Sequence, residues 1–254
     1  MITVISPAKR LDFDNGMIRK QSVPLFLEDA NYLVERLRKL STNQLQKLMS
    51  VSTKIADLNT SRFKTWDNST TTPKAKQALL AFNGDVYSGL DATSFETKDF
   101  DFAQQHLRIL SGLYGVLKPL DMIQPYRLEM GTRLKNKQGD DLYDFWGVRI
   151  TEAINAELEQ MRNAVLINLA SNEYFHSVVA DHLNAQIITP VFKEKKNGTY
   201  KVISFTAKRA RGMMARYIIK NRIKTPELLK QFREGDYRYQ TKLSNETQWV
   251  FTRD

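Results

Sequence analysis

The amino-acid sequence predicts an α/β protein in which helices surround a mixed central sheet. Three observations carry that expectation. Apolar runs of strand length occur at Met1–Ile5, Ile109–Leu117 and Val165–Ala170. Stretches with apolar residues at helical spacing separate them. Asn197-Gly198 stands between the β-prone runs Ile187–Phe192 and Tyr200–Phe205, a hairpin signal. Strands alternating with helices along one chain are the mark of an α/β fold. The 254 residues, 42% of them hydrophobic, have room for a real core and are read as one domain, 1–254.

Composition narrows the function classes. The absence of cysteine excludes disulfides and thiolate metal sites. His106, His176 and His182 form no ligand motif, so no metal site is expected. No apolar run reaches the roughly 20 residues of a membrane span, and Met1–Ile5 reads as a first strand and not a signal peptide. A cytoplasmic protein with no membrane partner is the expectation. Thirty-eight Lys and Arg against 28 acids give a net charge of +10, a balance that favours polyanion partners. The charge is focused: between Lys193 and Arg222 stand ten basic residues and one acid, Glu194.

In chain order, Ser6-Pro7 turns out of the first strand and leaves Lys9 at its end, where α/β proteins commonly place ligand contacts. Residues 11–27 read as loop. Glu28–Leu40 carries Leu33, Val34, Leu37 and Leu40 on one helical face. Ser41 or Thr42 can cap a helix bearing Leu45, Leu48 and Met49. A break at Ser50-Val51-Ser52 follows, then a helix with Ile55, Ala56 and Leu58 inward. This pair resembles a helix-hairpin-helix, about 41–60, whose second helix offers backbone N–H groups to a phosphate, with Lys47 and Lys54 beside it. Ser50 and Ser52 stand where that motif has glycines, which predicts a looser or differently shaped hairpin. An ordinary helical corner is the alternative.

Arg62–Thr72 reads as a connector, and Pro73 opens a helix through Phe82. Gly84-Asp85 signals a turn, with Asp85 and Tyr87 on one face of an extended chain. Phe100–Leu110 reads as a helix leading into Leu110–Gly131. That stretch holds the polar kernel Tyr126-Arg127-Leu128-Glu129, in which Arg127 and Glu129 share a face if extended. Its glycines mark places where a ligand or another backbone comes close. Leu142–Glu159 is a further helix. Ser171 to Phe175, with Glu173, again sets polar groups at a strand end. Thr206–Ile223 is a helix with Lys208, Arg209, Arg211 and Arg216 on a broad cationic face, and the tail adds an edge strand near Trp249-Val250-Phe251.

Five segments together resemble the YaaA family of bacterial peroxide-stress proteins: ISPAK (5–9), FNGDVYSGL (82–90), residues 101–131, LINLASNEYF (166–175) and ISFTAKRARGMMARYII (203–219). The resemblance implies a single unusual α/β body with a basic cleft and a helix-hairpin-helix element. It also implies a cytosolic DNA-binding protein that limits oxidative damage and is associated with low free intracellular iron. No GxGxxG, Walker loop or HExxH is present, and no cofactor is expected.

Two function classes follow. In the first, the protein binds duplex or branched DNA without sequence preference, as a monomer, through Lys9, Lys47, Ser50, Ser52, Lys54, Arg127, Lys208, Arg209, Arg211 and Arg216. In the second, a polar pocket of Lys9, Asp85, Tyr87, Tyr126, Arg127, Glu129 and Glu173 processes a nucleotide or nucleobase, with Asp85 or Glu129 as acid or base. Convergence of Asp85, Arg127 and Glu129 in one pocket is the feature that separates them.

Overall fold

A computed structural model describes the chain except for residues 15, 17, 70, 71, 162 and 163. The strands in chain order are β1 (Ile2–Ile5), β2 (Arg10–Leu11), β3 (Lys76–Gln77), β4 (Phe82–Asn83), β5 (Leu107–Ser111), β6 (Gly115–Leu117), β7 (Met122–Ile123), β8 (Val165–Leu169), β9 (Gln186–Lys196), β10 (Thr199–Lys201), β11 (Arg238–Tyr239) and β12 (Gln248–Arg253). The central sheet runs β11-β12-β9-β8-β1-β5-β6, with β10 paired to β9. β1 lies parallel between β5 and β8, with Thr3 opposite Leu107 and Ile167. β8 is parallel to β9, and β9 to β12. Five strands therefore end on the same edge. β1, β5 and β8 are buried along their whole length, as strands covered on both faces must be.

The three expected core runs thus share one mixed sheet, but the second is not a single strand. Ile109–Leu117 folds back on itself, and β5 and β6 pair antiparallel with Ile109 opposite Leu117. The turn is built by Ser111, whose Oγ accepts the N–H groups of Leu113 (3.2 Å) and Tyr114 (3.0 Å), and by Gly115 at φ 67°. The Asn197-Gly198 hairpin is present with both residues at positive φ, 51° and 77°, as a two-residue turn requires. Its return arm stops at Lys201. The carboxy-terminal strand β12 is not at the edge, because β11 covers it.

The helices are α1 (Leu27–Arg38), α2 (Thr42–Met49), α3 (Thr53–Lys64), α4 (Ala78–Ala81), α5 (Asp85–Leu90), α6 (Thr97–His106), α7 (Leu142–Trp146), α8 (Arg149–Leu158), α9 (Asn172–Phe175) and α10 (Ser204–Lys220). Ser41 caps α2 in a capping box with Gln44. Several boundaries differ from expectation. α3 consumes the start of the predicted connector, of which residues 70 and 71 lie outside the described residues. The Pro73–Phe82 helix shrinks to the single turn α4 between β3 and β4, because Lys76 and Gln77 pair instead with Ile123 and Met122. Asp85 and Tyr87 are helical, not extended. α6 ends at His106, where the chain enters β5. The predicted Leu142–Glu159 helix breaks at Gly147, φ 49°.

α10 runs back along the sheet, from Thr206 beside Glu194 on upper β9 toward Lys224 near Met1. It crosses α5 at backbone contact. A Cβ on Gly212 would lie 1.8 Å from the Val86 carbonyl oxygen, and one on Gly89 would lie 2.1 Å from that of Arg209. Gly212 is thus explained by close packing. Alanine there would gain about 1 kcal/mol of helix propensity, but the clash is with backbone and costs about 3 kcal/mol. Gly212→Ala is expected to lower the unfolding free energy by about 2 kcal/mol, measured by urea denaturation. A variant as stable as the parent would show that the crossing is loose.

Candidate functional site

The site forms where the parallel strands end. Beyond β1 the chain turns through Ser6, whose Oγ accepts the Ser171 N–H at 2.9 Å and whose carbonyl accepts the Tyr87 hydroxyl at 3.1 Å. The loops after β1 and β8 are thereby tied together and to α5. Beyond β5, Gly112 lets the kernel's backbone approach: a Cβ there would sit 2.5 Å from the Leu128 carbonyl oxygen. The close backbone approach read from the sequence is made at this glycine. Tyr126 is buried, and its hydroxyl shares a 2.6 Å hydrogen bond with Ser111 Oγ. Tyr87, Tyr126 and Tyr174 crowd behind the kernel, and burial raises the pKa of each phenol. They are neutral wall groups.

In front of that wall stands an ion network. Glu129 Oε2 lies 2.7 Å from Lys9 Nζ, and its Oε1 accepts from Arg127 Nη2 at 2.9 Å. Burial pushes the Glu129 carboxyl up, but the bonds and charges of Lys9 and Arg127 outweigh it and hold the pKa below the ordinary value. Arg127 Nε is buried without a partner among the described residues. Glu173 Oε1 accepts the Gly131 N–H at 3.1 Å.

These groups line a cleft of about 700 Å³ with the α2–α3 turn as its opposite wall. Lys9, Arg127, Glu129, Arg133 and Glu173 face Lys47 and Ser50 across it. Ser50 takes φ 50°, ψ 50°, and its N–H closes on the Gln46 and Lys47 carbonyls. The left-handed conformation that glycine usually supplies is adopted here by serine. Ser52 begins α3 with no side-chain cap, so the N–H groups of its first turn carry the helix's positive end into solvent. Lys54 is exposed on that turn.

Other candidates lie elsewhere. Asp85 starts α5, where the neighbouring Gly84 abuts Ala8, yet it does not line the cleft. The expected trio of Asp85, Arg127 and Glu129 is therefore reduced to a pair. Lys208 and Arg209 are exposed on α10, outside the cleft lining, while Arg211 is half-buried and burial lowers its pKa. Arg216 turns inward. It donates to the Leu90 and Asp91 carbonyls and pairs with Asp91 at 3.2 Å, sealing the end of α5. Lys220 and Arg222 pair with the buried Asp99. The cationic face read from the sequence is thus narrower than helical spacing suggested. Arg133, which the sequence reading passed over, joins the cleft. Its only signal was a position two residues beyond the kernel's glycine, Gly131.

Residues 1–243 match the family described as peroxide stress protein YaaA. The chain belongs to this family. It is 57% identical to a UPF0246 protein of Teredinibacter turnerae over the whole chain and 99% of the relative. The identity is 53% to a UPF0246 protein of Colwellia psychrerythraea and 52% to one of Cellvibrio japonicus, each over the whole chain and 99% of the relative. Membership supports a part in the response to peroxide stress. Among the described residues no helix is long and apolar enough to cross a membrane.

The network sets a pH signature. A carboxylate whose folded pKa is depressed contributes stability above its unfolded value and loses it as pH falls through the folded one. Glu129→Gln is expected to lower the melting temperature at pH 7, with the gap to the parent closing below about pH 4. A gap that persists at pH 3 would show that packing, not charge, is what Glu129 supplies.

Proposed function

We propose that the protein binds DNA phosphates in the cleft between the strand-end kernel and the α2–α3 turn, as a cytosolic DNA-binding member of the peroxide-stress response. The observation that carries this reading is the junction itself. Lys9, Lys47, Arg127 and Arg133 converge on one open cleft, beside an uncapped helix start and at the point where the sheet order turns outward from β1. Helix starts favour anions, and ligands of open α/β sheets bind at such switch points. The α2–α3 pair serves as the helix-hairpin-helix-like element of this reading, and Lys208 and Arg209 extend the basic surface along α10. Recognition by cations and backbone dipoles reads phosphate and not sequence, so duplex and branched forms both qualify. Limitation of oxidative damage and lowered free iron are carried over from the family as the cellular outcome.

The enzyme reading is less well served by the same groups. Glu129 is held in two ion pairs with a depressed pKa, which weakens it as a base, and Asp85 stands outside the cleft.

The test is fluorescence anisotropy with duplex, bubble and junction DNA across a salt series. Lys47→Gln/Lys54→Gln changes two exposed side chains. It is expected to weaken binding to all three forms alike and to flatten the salt slope by about two charges. A folded double variant with the parent's affinity and slope would remove the α2–α3 turn from the interface.

A further inference from the structure

The opposite edge of the sheet holds a second concavity that the DNA reading does not use. It opens at the starts of β1 and β5, where the carboxy-terminal end of α8 and the segment after α10 close around it, and encloses about 930 Å³. That is more than the cleft and within the range of small-molecule sites. Its charged lining is Arg108, Lys118, Lys224, Glu157 and the Met1 amino terminus, with His106 beside them. Arg108 is the central group. Only 4% of its side chain is exposed, it pairs with Glu157 Oε2, and it donates to the Gln104 carbonyl at 2.9 Å. Its Nε is buried with no partner among the described residues. Glu157 Oε1 lies 3.3 Å from Lys118 Nζ, so the one carboxylate in the lining is shared by two cations. Lys224 faces the same space with no ion pair among the described residues.

Three side-chain cations around one carboxylate leave an excess of two positive charges in a partly desolvated pocket, and the Met1 amino group, its pKa lowered by burial and by Lys224, adds to it. The positive field is felt by His106, whose pKa is held down by burial and then by the amino terminus, Lys224 and Arg108. A buried donor without an acceptor and unneutralised cations are costly in a folded protein unless something answers them. Met161 and Ala156 supply an apolar wall beside them, with Met161 Sδ also accepting from the Met1 amino group at 2.9 Å. We propose that this cavity is a binding site for a small organic oxyanion, its phosphate or carboxylate held by Lys118 and Lys224 over the buried charge of Arg108 and its apolar part lying against Met161 and Ala156. Glu157 does not oppose such a ligand, because Arg108 and Lys118 already neutralise it. The site is separate from the proposed DNA interface, lying at the other end of the parallel strands.

Phenyl phosphate and inorganic phosphate serve as probes, titrated by isothermal calorimetry into the full chain. Phenyl phosphate is expected to bind saturably with one site and more tightly than inorganic phosphate. Lys224 is exposed and Lys118 half-buried at the rim, so Lys118→Gln/Lys224→Gln should fold, checked by circular dichroism. It is expected to raise the phenyl phosphate Kd at least tenfold, since each charge-assisted contact is worth about a factor of ten. Lys47→Gln/Lys54→Gln should leave that Kd unchanged. Absence of saturable binding, or equal affinity in the Lys118/Lys224 variant, overturns the proposal. Loss of binding in the Lys47/Lys54 variant instead would place the anion in the DNA cleft and overturn it as well.

Discussion

The parallel pairing of β1 with both β5 and β8 is the constraint from which the other features follow. A strand with parallel neighbours on either side needs crossover connections, and these put helices over both faces of the sheet. It also sorts the chain's polar material by direction. Whatever follows β1, β5 and β8 arrives at one edge: Lys9, the kernel held at Gly112, and Glu173. Whatever precedes them arrives at the other: His106, Arg108 and the end of α8. Neither collection is local in sequence, and each becomes a site only because the three strands point the same way.

Within that frame, charge is allotted by burial. The basic excess is not spread evenly over a cationic skin. Arg216, Lys220 and Arg222 are used internally, closing the end of α5 and neutralising Asp99, so the cations left for a partner on α10 are fewer than its sequence implies. Lys9, Arg127 and Arg133 stand at the strand ends, where a low-dielectric wall of buried tyrosines strengthens their field. The Lys9–Glu129–Arg127 network fits this arrangement, since the carboxylate orders two cations at a cleft that would otherwise hold them loosely.

The legible parts of the sequence were those with a local cause. β1 and β8 are uninterrupted apolar runs, α1 shows its inward face at helical spacing, and Asn197-Gly198 can hardly be anything but a tight turn. The convergence of Lys9, Arg127, Glu129 and Glu173 was also foreseeable, because each sits just beyond a strand or a glycine. What stayed hidden had a distant cause. The fold-back inside Ile109–Leu117 depends on the Ser111 hydroxyl replacing backbone partners, and an apolar run gives no sign of it. Lys76 and Gln77 leave the helical state because Met122 and Ile123 offer strand partners far along the chain. The inward turn of Arg216 answers the exposed carbonyls at the end of α5, a helix about 125 residues away. No window of sequence contains both halves of such a pair.

The position of β1 also sets a timetable for synthesis. Its two neighbours begin at Leu107 and Val165, so a strand made before both of them is among the last to be satisfied. Its backbone donors and acceptors have one side unmatched until residue 169 has been made, a wait on the order of 10–30 s at usual elongation rates. Until residue 111 has been made Ile2, Val4 and Ile5 have neither neighbour, and from then until residue 169 they keep one open apolar edge, which is the kind of segment that chaperones hold. The fold's most buried strand is in this sense its most dependent one.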